Sequence, residues 1–174
     1  MTWTLDLAHS KVGFAVRHLM VSKVRGQFNS FSAEVEVDPD NVANTKVRAS
    51  IDASSIDTRN ADRDNHLRSP DFFNVEEYPT LEFESSAFRS KGDGKIEVDG
   101  QLTIRGESHP ITLTGEQQGP AANPFTGQRT VGFSLHGEID RELYGLTWNQ
   151  GLETGGVMVG KKVTIEIDAE AVEG

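Results

Sequence analysis

The sequence predicts an all-β fold: an eight-stranded antiparallel β-barrel with one short helix closing an end. The first observation is that about nine segments alternate apolar and polar residues with the period of two that is typical of half-buried strands. The second is that short turns join these segments, which favours antiparallel pairing. The third is that a single segment, residues 54–73, lacks this alternation. With only one helix to cover the apolar faces, the sheet must cover itself, either as a closed barrel or as a two-sheet sandwich.

The first half of the chain contains four alternating runs. Trp3, Leu5 and Leu7 form the first, and the second follows the break at His9 and Ser10. If these two runs form one bent strand, the nine segments make eight strands. The inward residues predicted for the next runs are, in order, Val12, Phe14, Val16; Phe31, Ala33, Val35, Val37; and Val47, Ala49, Ile51.

The second half continues the pattern after a break at Tyr78-Pro79. A hairpin turn is expected at residues 91–94, because its glycines supply the positive φ that such turns need. A second turn is expected at residues 105–107. The inward residues predicted here are Leu81, Phe83; Ile96, Val98, Leu102, Ile104; Ile111, Leu113; Val131, Phe133, Leu135; and Val163, Ile165, Ile167.

Small residues occupy several inward positions, and two explanations of them are equally acceptable. They leave volume that a ligand fills, as in ligand-holding barrels, or they relieve crowding where strands bend. The residues are Ser85, Ala87, Gly100, Gly115, Gly137 and Ala169.

The segment 54–73 is predicted to be a helical clasp over one end of the β-structure. Its central residues, 63–66, combine charge with a histidine. Arg63 and Asp64 have two explanations, since they either contact a ligand or pair with strand residues to anchor the clasp, which is the simpler one. Leu67, Phe72 and Phe73 would pack beneath it. Residues 141–148 suggest a second lid, whose Tyr144 and Trp148 either line a pocket mouth or fill a corner.

Composition limits the classes of function. The 174 residues suit one domain over residues 1–174, and a formal charge of −10 opposes nucleic-acid binding. We expect a cytoplasmic protein without a transmembrane segment, because neither a signal peptide nor an apolar run of about 18 residues is visible. Residues 11–25 carry four basic residues and no acidic one. That local excess suits an anionic headgroup or a transient contact with a membrane surface.

No motif indicates catalysis, a cofactor or a metal. The five histidines form neither an HExxH motif nor a His-x-His pair, and the chain has no cysteine. A nucleophile elbow and a phosphate-binding loop are also missing from the sequence. We therefore predict no catalytic residue, no metal ligand and no cofactor.

Taken together, the motifs resemble the YceI-like family of polyisoprenoid-binding, lipocalin-like barrels. The match runs in order from residue 3 to residue 170, which makes it specific although each motif is weak alone. The motifs are Trp3, Asp6, His9-Ser10, Val12-x-Phe14-x-Val16-x-His18, Gly26-x-Phe28, Ser55-x-x-Thr58, Arg63-Asp64-x-His66-Leu67, Asp71-Phe72-Phe73, Tyr78-Pro79, Gly100-x-Leu102-Thr103-Ile104-x-Gly106 and Arg141-x-x-x-Gly145.

The resemblance implies a carrier or binder of a long-chain isoprenoid or similar amphiphile, with the tail inside the barrel. It also implies a homodimer, since dimers are common among such proteins. The residues expected to line the tunnel are Phe14, Val16, Phe31, Val35, Phe83, Leu102, Ile104, Phe133, Leu135 and Ile165. Phe72 and Trp148 are expected at the lid, and polar head contacts are expected from His18, Arg63, His66 or Arg141.

Two other functions stay open at this point. A hydrolase of a bound lipid amide or ester would use His18 or His66 as its base, because histidine clusters with carboxylates in this chain. A stress-related scaffold would have a barrel packed with its own side chains.

Overall fold

The computed structural model describes residues 3–19, 21–150 and 158–174. Within these ranges the chain forms eleven β-segments and one α-helix. The segments are β1 Trp3–Leu5, β2 Lys11–His18, β3 Ser22–Phe28, β4 Phe31–Glu36, β5 Lys46–Asp52, β6 Ile56–Asp57, α1 Ala61–Arg68, β7 Thr80–Gly92, β8 Lys95–Ile104, β9 Glu107–Ala122, β10 Arg129–Asp140 and β11 Val159–Glu173.

The sheet closes on itself as an antiparallel barrel of eight strands. Hydrogen-bonded neighbours follow the order β1, β4, β5, β7, β8, β9, β10 and β11, and β11 pairs back onto β1. Trp3 of β1 pairs with Glu173 of β11, in the ladder that closes the barrel, and with Val35 of β4 on the other edge of β1. The closure confirms the predicted barrel and excludes the sandwich, since a sandwich keeps two separate sheets.

Two of the barrel strands are bent. Both β1 and β2 pair with β11, one after the other, so they form the single bent strand that the sequence suggested. In the same way β3 pairs with β2, and β4 pairs with β1. The expectation that Leu7 faces the interior was wrong: it lies in a 3-10 turn at the bend, Leu7–His9, and is 56% exposed. The bend takes Leu7 out of the strand alternation.

The helix is much shorter than the predicted clasp. It spans Ala61–Arg68, and the Asn60 side chain caps it by accepting a hydrogen bond from the backbone N–H of Arg63. Ahead of it, a 3-10 turn and the short β6 segment, which pairs with β3, occupy residues 53–57. No helix in the described ranges combines the length and the apolar composition that crossing a bilayer requires.

Two clusters of buried side chains fill the two ends of the barrel. The first lies beneath the helix and includes Phe28, Phe72 and Leu146. The second lies at the opposite end and includes Trp3 and Val131. Partly buried residues from both clusters meet in the middle of the barrel, and the cavity described below lies among them.

Most of the small residues predicted inside leave no space in the barrel. Ala87 was wrongly placed inside, because a bulge after Ser85 sets it opposite Asp99 on the outer face and turns Phe88 inward. The Phe83 ring covers Gly100 so closely that a Cβ atom there would lie 2.5 Å from it. Gly115 lies against the backbone of Ser134 on the neighbouring strand, where any Cβ would overlap the carbonyl oxygen. Of the six small residues, only Ala169 lines the cavity. The glycines therefore allow close approach, as the second explanation holds.

Adding one methyl group at Gly115 is expected to destabilise the barrel. Gly115→Ala should lower the free energy of unfolding by about 1–3 kcal/mol, because the β9 and β10 backbones must move apart. Gly132 is the matched control, since its Cβ would meet no atom within 4 Å. Urea unfolding measures the free energy of unfolding of both variants. Equal stability of Gly115→Ala and Gly132→Ala would contradict the close approach.

Candidate ligand-binding cavity

An apolar cavity of about 240 Å³ occupies the barrel interior. Its wall contains residues from both core clusters, from Phe88 at the end near Trp3 to Leu67 on the helix. Of the 37 described residues that line it, four are polar or charged: Ser10, Lys11, Arg141 and Asp168. Such a wall offers dispersion contacts and very few hydrogen bonds, so it suits an apolar ligand.

Every residue predicted to line a tunnel lies on this wall. These are Phe14, Val16, Phe31, Val35, Phe83, Leu102, Ile104, Phe133, Leu135 and Ile165, together with Phe72 from the segment after the helix. Phe14, Val16 and Val35 face inward and are nevertheless only partly buried, because the cavity keeps one side of each side chain free.

The sequence prediction of the wall was incomplete. It omitted Ala33, Ala49 and Ile51, which line the cavity from β4 and β5. The signal for them was present, since they share the inward parity of Val35 and Val47. Phe28 was also missed. The sequence analysis predicted no strand over residues 22–26, so no alternating pattern placed residue 28 on an inward face.

Arg141 lies on the wall as well, but its guanidinium is occupied by the protein. The residue is 3% exposed and donates hydrogen bonds to the backbone carbonyls of Leu146, Trp148, Val159 and Gly160. Burial lowers the pKa of Arg141 from its usual value. The side chain thereby ties the 141–148 segment to the start of β11, and few of its N–H groups are left for a ligand.

Arg63 lies outside the cavity wall and anchors the helix. Its Nε donates to the Thr58 hydroxyl and its Nη2 to the Thr58 carbonyl oxygen, both at 2.7 Å. The buried Asp64 carboxylate accepts from the backbone N–H of Thr58 at 3.0 Å. This network connects the first turn of the helix to the end of β6, which is the anchoring role that the sequence allowed.

An aromatic cluster covers the cavity beside the helix. The His66 ring meets the Trp148 ring edge-on with centroids 4.7 Å apart and the Phe72 ring at 5.1 Å. His66 Nε2 lies 2.8 Å from a carboxylate oxygen of Asp71. Phe72 faces the cavity, whereas His66 and Trp148 pack behind it and do not line the wall. His18 ends β2 opposite Val159, also outside the wall.

Tyr144 fills the corner next to the lid segment. Its side chain is 1% exposed, its ring meets His109 edge-on at 4.9 Å, and burial raises its pKa to about 12. The hydroxyl has no hydrogen-bond partner among the described residues. Of the two explanations that the sequence left for the aromatic residues of this segment, corner filling describes Tyr144.

A second cleft of about 350 Å³ opens at the bend of the barrel. It shares Ser10, Lys11, Phe28 and Phe31 with the cavity and is otherwise lined by Leu7, Gln27, Asn29 and Ser30. The cleft lies where β1 gives way to β2 and β3 gives way to β4, so strand pairing is interrupted there. Polar groups therefore adjoin the apolar interior at this point.

A carboxylate-histidine group lies on the outer surface of the same bend. Ligand atoms of Asp6, His9 and Glu170 all lie within 4.8 Å of one another, which makes this a group that could hold a metal ion. The His9 Nδ1 is already 2.8 Å from Asp6, which raises the pKa of His9 through that hydrogen bond. The His9 side chain is 65% exposed, as expected for a surface ion pair. The absence of a metal stays a prediction.

The fold and this cavity define the class of protein: a closed antiparallel barrel with an apolar interior. The chain belongs to the YceI-like family, because the YceI-like domain model matches residues 3–171. A UPF0312 protein of Staphylococcus epidermidis is 45% identical over 168 residues, covering 97% of this chain and 95% of that protein.

Two solved structures share the architecture. BcnA of Burkholderia cenocepacia superposes with a TM-score of 0.83 at 27% identity, over 95% of this chain and 98% of that one. A structure described as a polyisoprenoid binding domain from Saccharophagus degradans has a TM-score of 0.72 over 98% of each chain. At 17% identity the second likeness shows the fold alone.

Proposed function

We propose that this protein binds and carries a long-chain isoprenoid or similar amphiphile, with the apolar chain in the barrel cavity. The observation that supports this most directly is the wall itself, in which 33 of 37 described residues are apolar or glycine. Burial of an apolar ligand stabilises a complex by about 25 cal/mol per Å² before the costs of association. A chain can therefore bind here with few polar contacts.

The cavity size bears on the length of that chain. At about 240 Å³ it lies slightly below the roughly 300–1,000 Å³ of typical small-molecule sites. A long isoprenoid must therefore move side chains apart or extend beyond the cavity. The cleft at the bend is the natural continuation, since Gln27, Asn29 and Ser30 there offer polar groups to the head of an amphiphile.

Direct extraction tests the proposal. Organic extraction of gently purified native protein, followed by mass spectrometry, should release a long-chain isoprenoid or fatty amphiphile at about one molecule per barrel. The S. degradans domain shares only the fold with this chain, so the choice of an isoprenoid rests on the family resemblance, and the extracted mass decides it. An empty extract, also after incubation with mixed lipids, would contradict the proposal.

The other two functions have less support. His18 and His66 both lie outside the cavity wall, so no described residue places a histidine base against a bound ester or amide. The scaffold requires a filled interior, whereas the barrel contains the cavity described above. The homodimer and the cytoplasmic location stay predictions, which sedimentation velocity and cell fractionation would test.

A further inference from the structure

The tip of the β2–β3 hairpin exposes large apolar side chains. Val21 is 81% exposed and Leu19 is 39% exposed. We call this part of the chain the hairpin tip, defined as residues 17–19 and 21–25. Burial of a side chain of this size stabilises a fold, a gain that Val21 forgoes in water. The tip therefore places apolar groups where only a partner would cover them.

The backbone makes the leucine more unusual. Leu19 has a φ of 53°, in the left-handed region that glycine and asparagine adopt readily and bulky residues seldom do. A turn selected only for folding would have a small or polar residue here. Because Leu19 is also partly exposed, burial in the barrel does not offset that cost.

The charge of the hairpin is opposite to that of the whole protein. Residues 11–25 contain four of the 17 lysine and arginine residues and none of the 27 acidic ones. Arg17 and Lys23 are exposed and form no ion pair with any described residue, whereas Arg25 lies 3.5 Å from Glu166. Lys162, on the neighbouring strand β11, adds another exposed cation two residues after Gly160, which packs against Arg17.

We propose that the hairpin tip docks on the surface of an anionic lipid bilayer, with Leu19 and Val21 among the headgroups. Exposed apolar residues flanked by cations match such a surface, which attracts the cations and accepts the apolar side chains. Arg17 and Lys23 can keep their charged groups among the headgroups while their aliphatic stems lie deeper in the bilayer interface.

This inference rests on the proposed function, because a carrier of an amphiphile must meet the membrane that supplies or receives it. The cavity wall reaches the base of the same hairpin at Val16 and at Val159, and the latter pairs with His18. Val16 is three residues from Leu19, or about 10 Å along an extended strand. Docking by the tip therefore places the cavity end of β2 at the bilayer surface.

The opposite end of the barrel provides matched controls. Phe125 is 95% exposed in the turn between β9 and β10, and residues 107–128 contain no lysine or arginine. Lys95 is an exposed cation at the β7–β8 turn of that same end. Phe125 thus has exposure in a turn without lysine or arginine, and Lys95 has charge in a turn without an exposed large apolar residue.

Vesicle flotation tests the docking. The protein should bind phosphatidylcholine vesicles with about one quarter phosphatidylglycerol, bind pure phosphatidylcholine at least about tenfold more weakly, and lose binding as salt screens the charges. Arg17→Glu with Lys23→Glu changes the charge by four units and should weaken binding by roughly 600-fold, at about fivefold per unit of charge. Leu19→Ser with Val21→Ser should weaken it about tenfold. Lys95→Glu and Phe125→Ser should bind like the native protein.

A second readout separates this inference from the proposed function. Uptake of cis-parinaric acid from solution reports the cavity, and the hairpin variants should keep it along with the native thermal unfolding midpoint. Parinarate uptake without binding to anionic vesicles would overturn the docking and leave the carrier function standing. Vesicle binding that depends on the tip, in a barrel that takes up no lipid, would support the docking and overturn the carrier function. Equal losses in the hairpin variants and the controls would also overturn the docking.

Discussion

Replacing Arg141 by methionine should lower the free energy of unfolding by about 3–5 kcal/mol. The substitution keeps an aliphatic stem of similar length and removes the guanidinium, which takes one donor from each of four buried or partly buried carbonyl groups. The Val159 carbonyl keeps a second donor, the Asn149 side-chain amide. Each unsatisfied buried polar group costs about 1–3 kcal/mol, and relaxation of the segment recovers part of this. Chemical denaturation followed by circular dichroism measures the difference.

Two further variants make that result specific. Arg141→Lys should recover only a small part of the loss, because a single ammonium group cannot reach carbonyls arranged around a planar guanidinium. Arg48→Met removes an arginine whose side chain is 66% exposed and pairs with Glu84, so its effect should stay within about 0.5 kcal/mol. If Arg141→Met were as stable as Arg48→Met, Arg141 would not hold the 141–148 segment in place.

Filling the cavity at Ala49 should weaken ligand binding by roughly 50–100-fold. Ala49 lines the cavity from β5, opposite Phe83 and Ala33 on the neighbouring strands. Because its side chain is a single methyl group, the substitution adds volume and removes very little packing. Ala49→Trp puts an indole into the space that the apolar chain would occupy. If about 100 Å² of ligand contact is lost, at about 25 cal/mol per Å² the cost is about 2.5 kcal/mol. Titration with cis-parinaric acid measures the change.

Ser50→Trp is the control for this experiment, because Ser50 is the next residue on β5 and its side chain bonds Glu82 on the outer face. It should bind parinarate like the native protein. Leu102 lines the same cavity from β8, the strand that pairs with the other edge of β7 opposite Phe83. Leu102→Trp should therefore weaken parinarate binding as Ala49→Trp does. Native affinity in both cavity variants would show that the ligand binds elsewhere.

The strand alternation predicted the barrel well because it is a local property. Which face of a strand is apolar depends only on residues two positions apart, so Phe133 and Leu135 could be placed inside from the sequence alone. The bend between β1 and β2 was harder to predict. Leu7 continues the apolar alternation in the sequence, yet the chain turns before it and exposes it.

The polar residues show the limit of that reasoning. The family resemblance led us to expect Arg63, His66 and Arg141 near a ligand head. The structure instead directs Arg63 to Thr58, His66 to Asp71 and Arg141 to carbonyls up to 19 residues away. A sequence shows that a donor is present but does not show which acceptor the folded chain brings to it.

The sequence by itself determined the all-β class, the inward face of most recognised strands, ten residues of the cavity wall and the likeness to the YceI-like family. Only the tertiary structure decided that the sheet closes, that Gly100 and Gly115 serve close packing, and that the space inside measures about 240 Å³. The reason is physical. Periodicity depends on neighbours along the chain, whereas closure, cavity volume and hydrogen-bond partners depend on contacts between residues far apart in sequence.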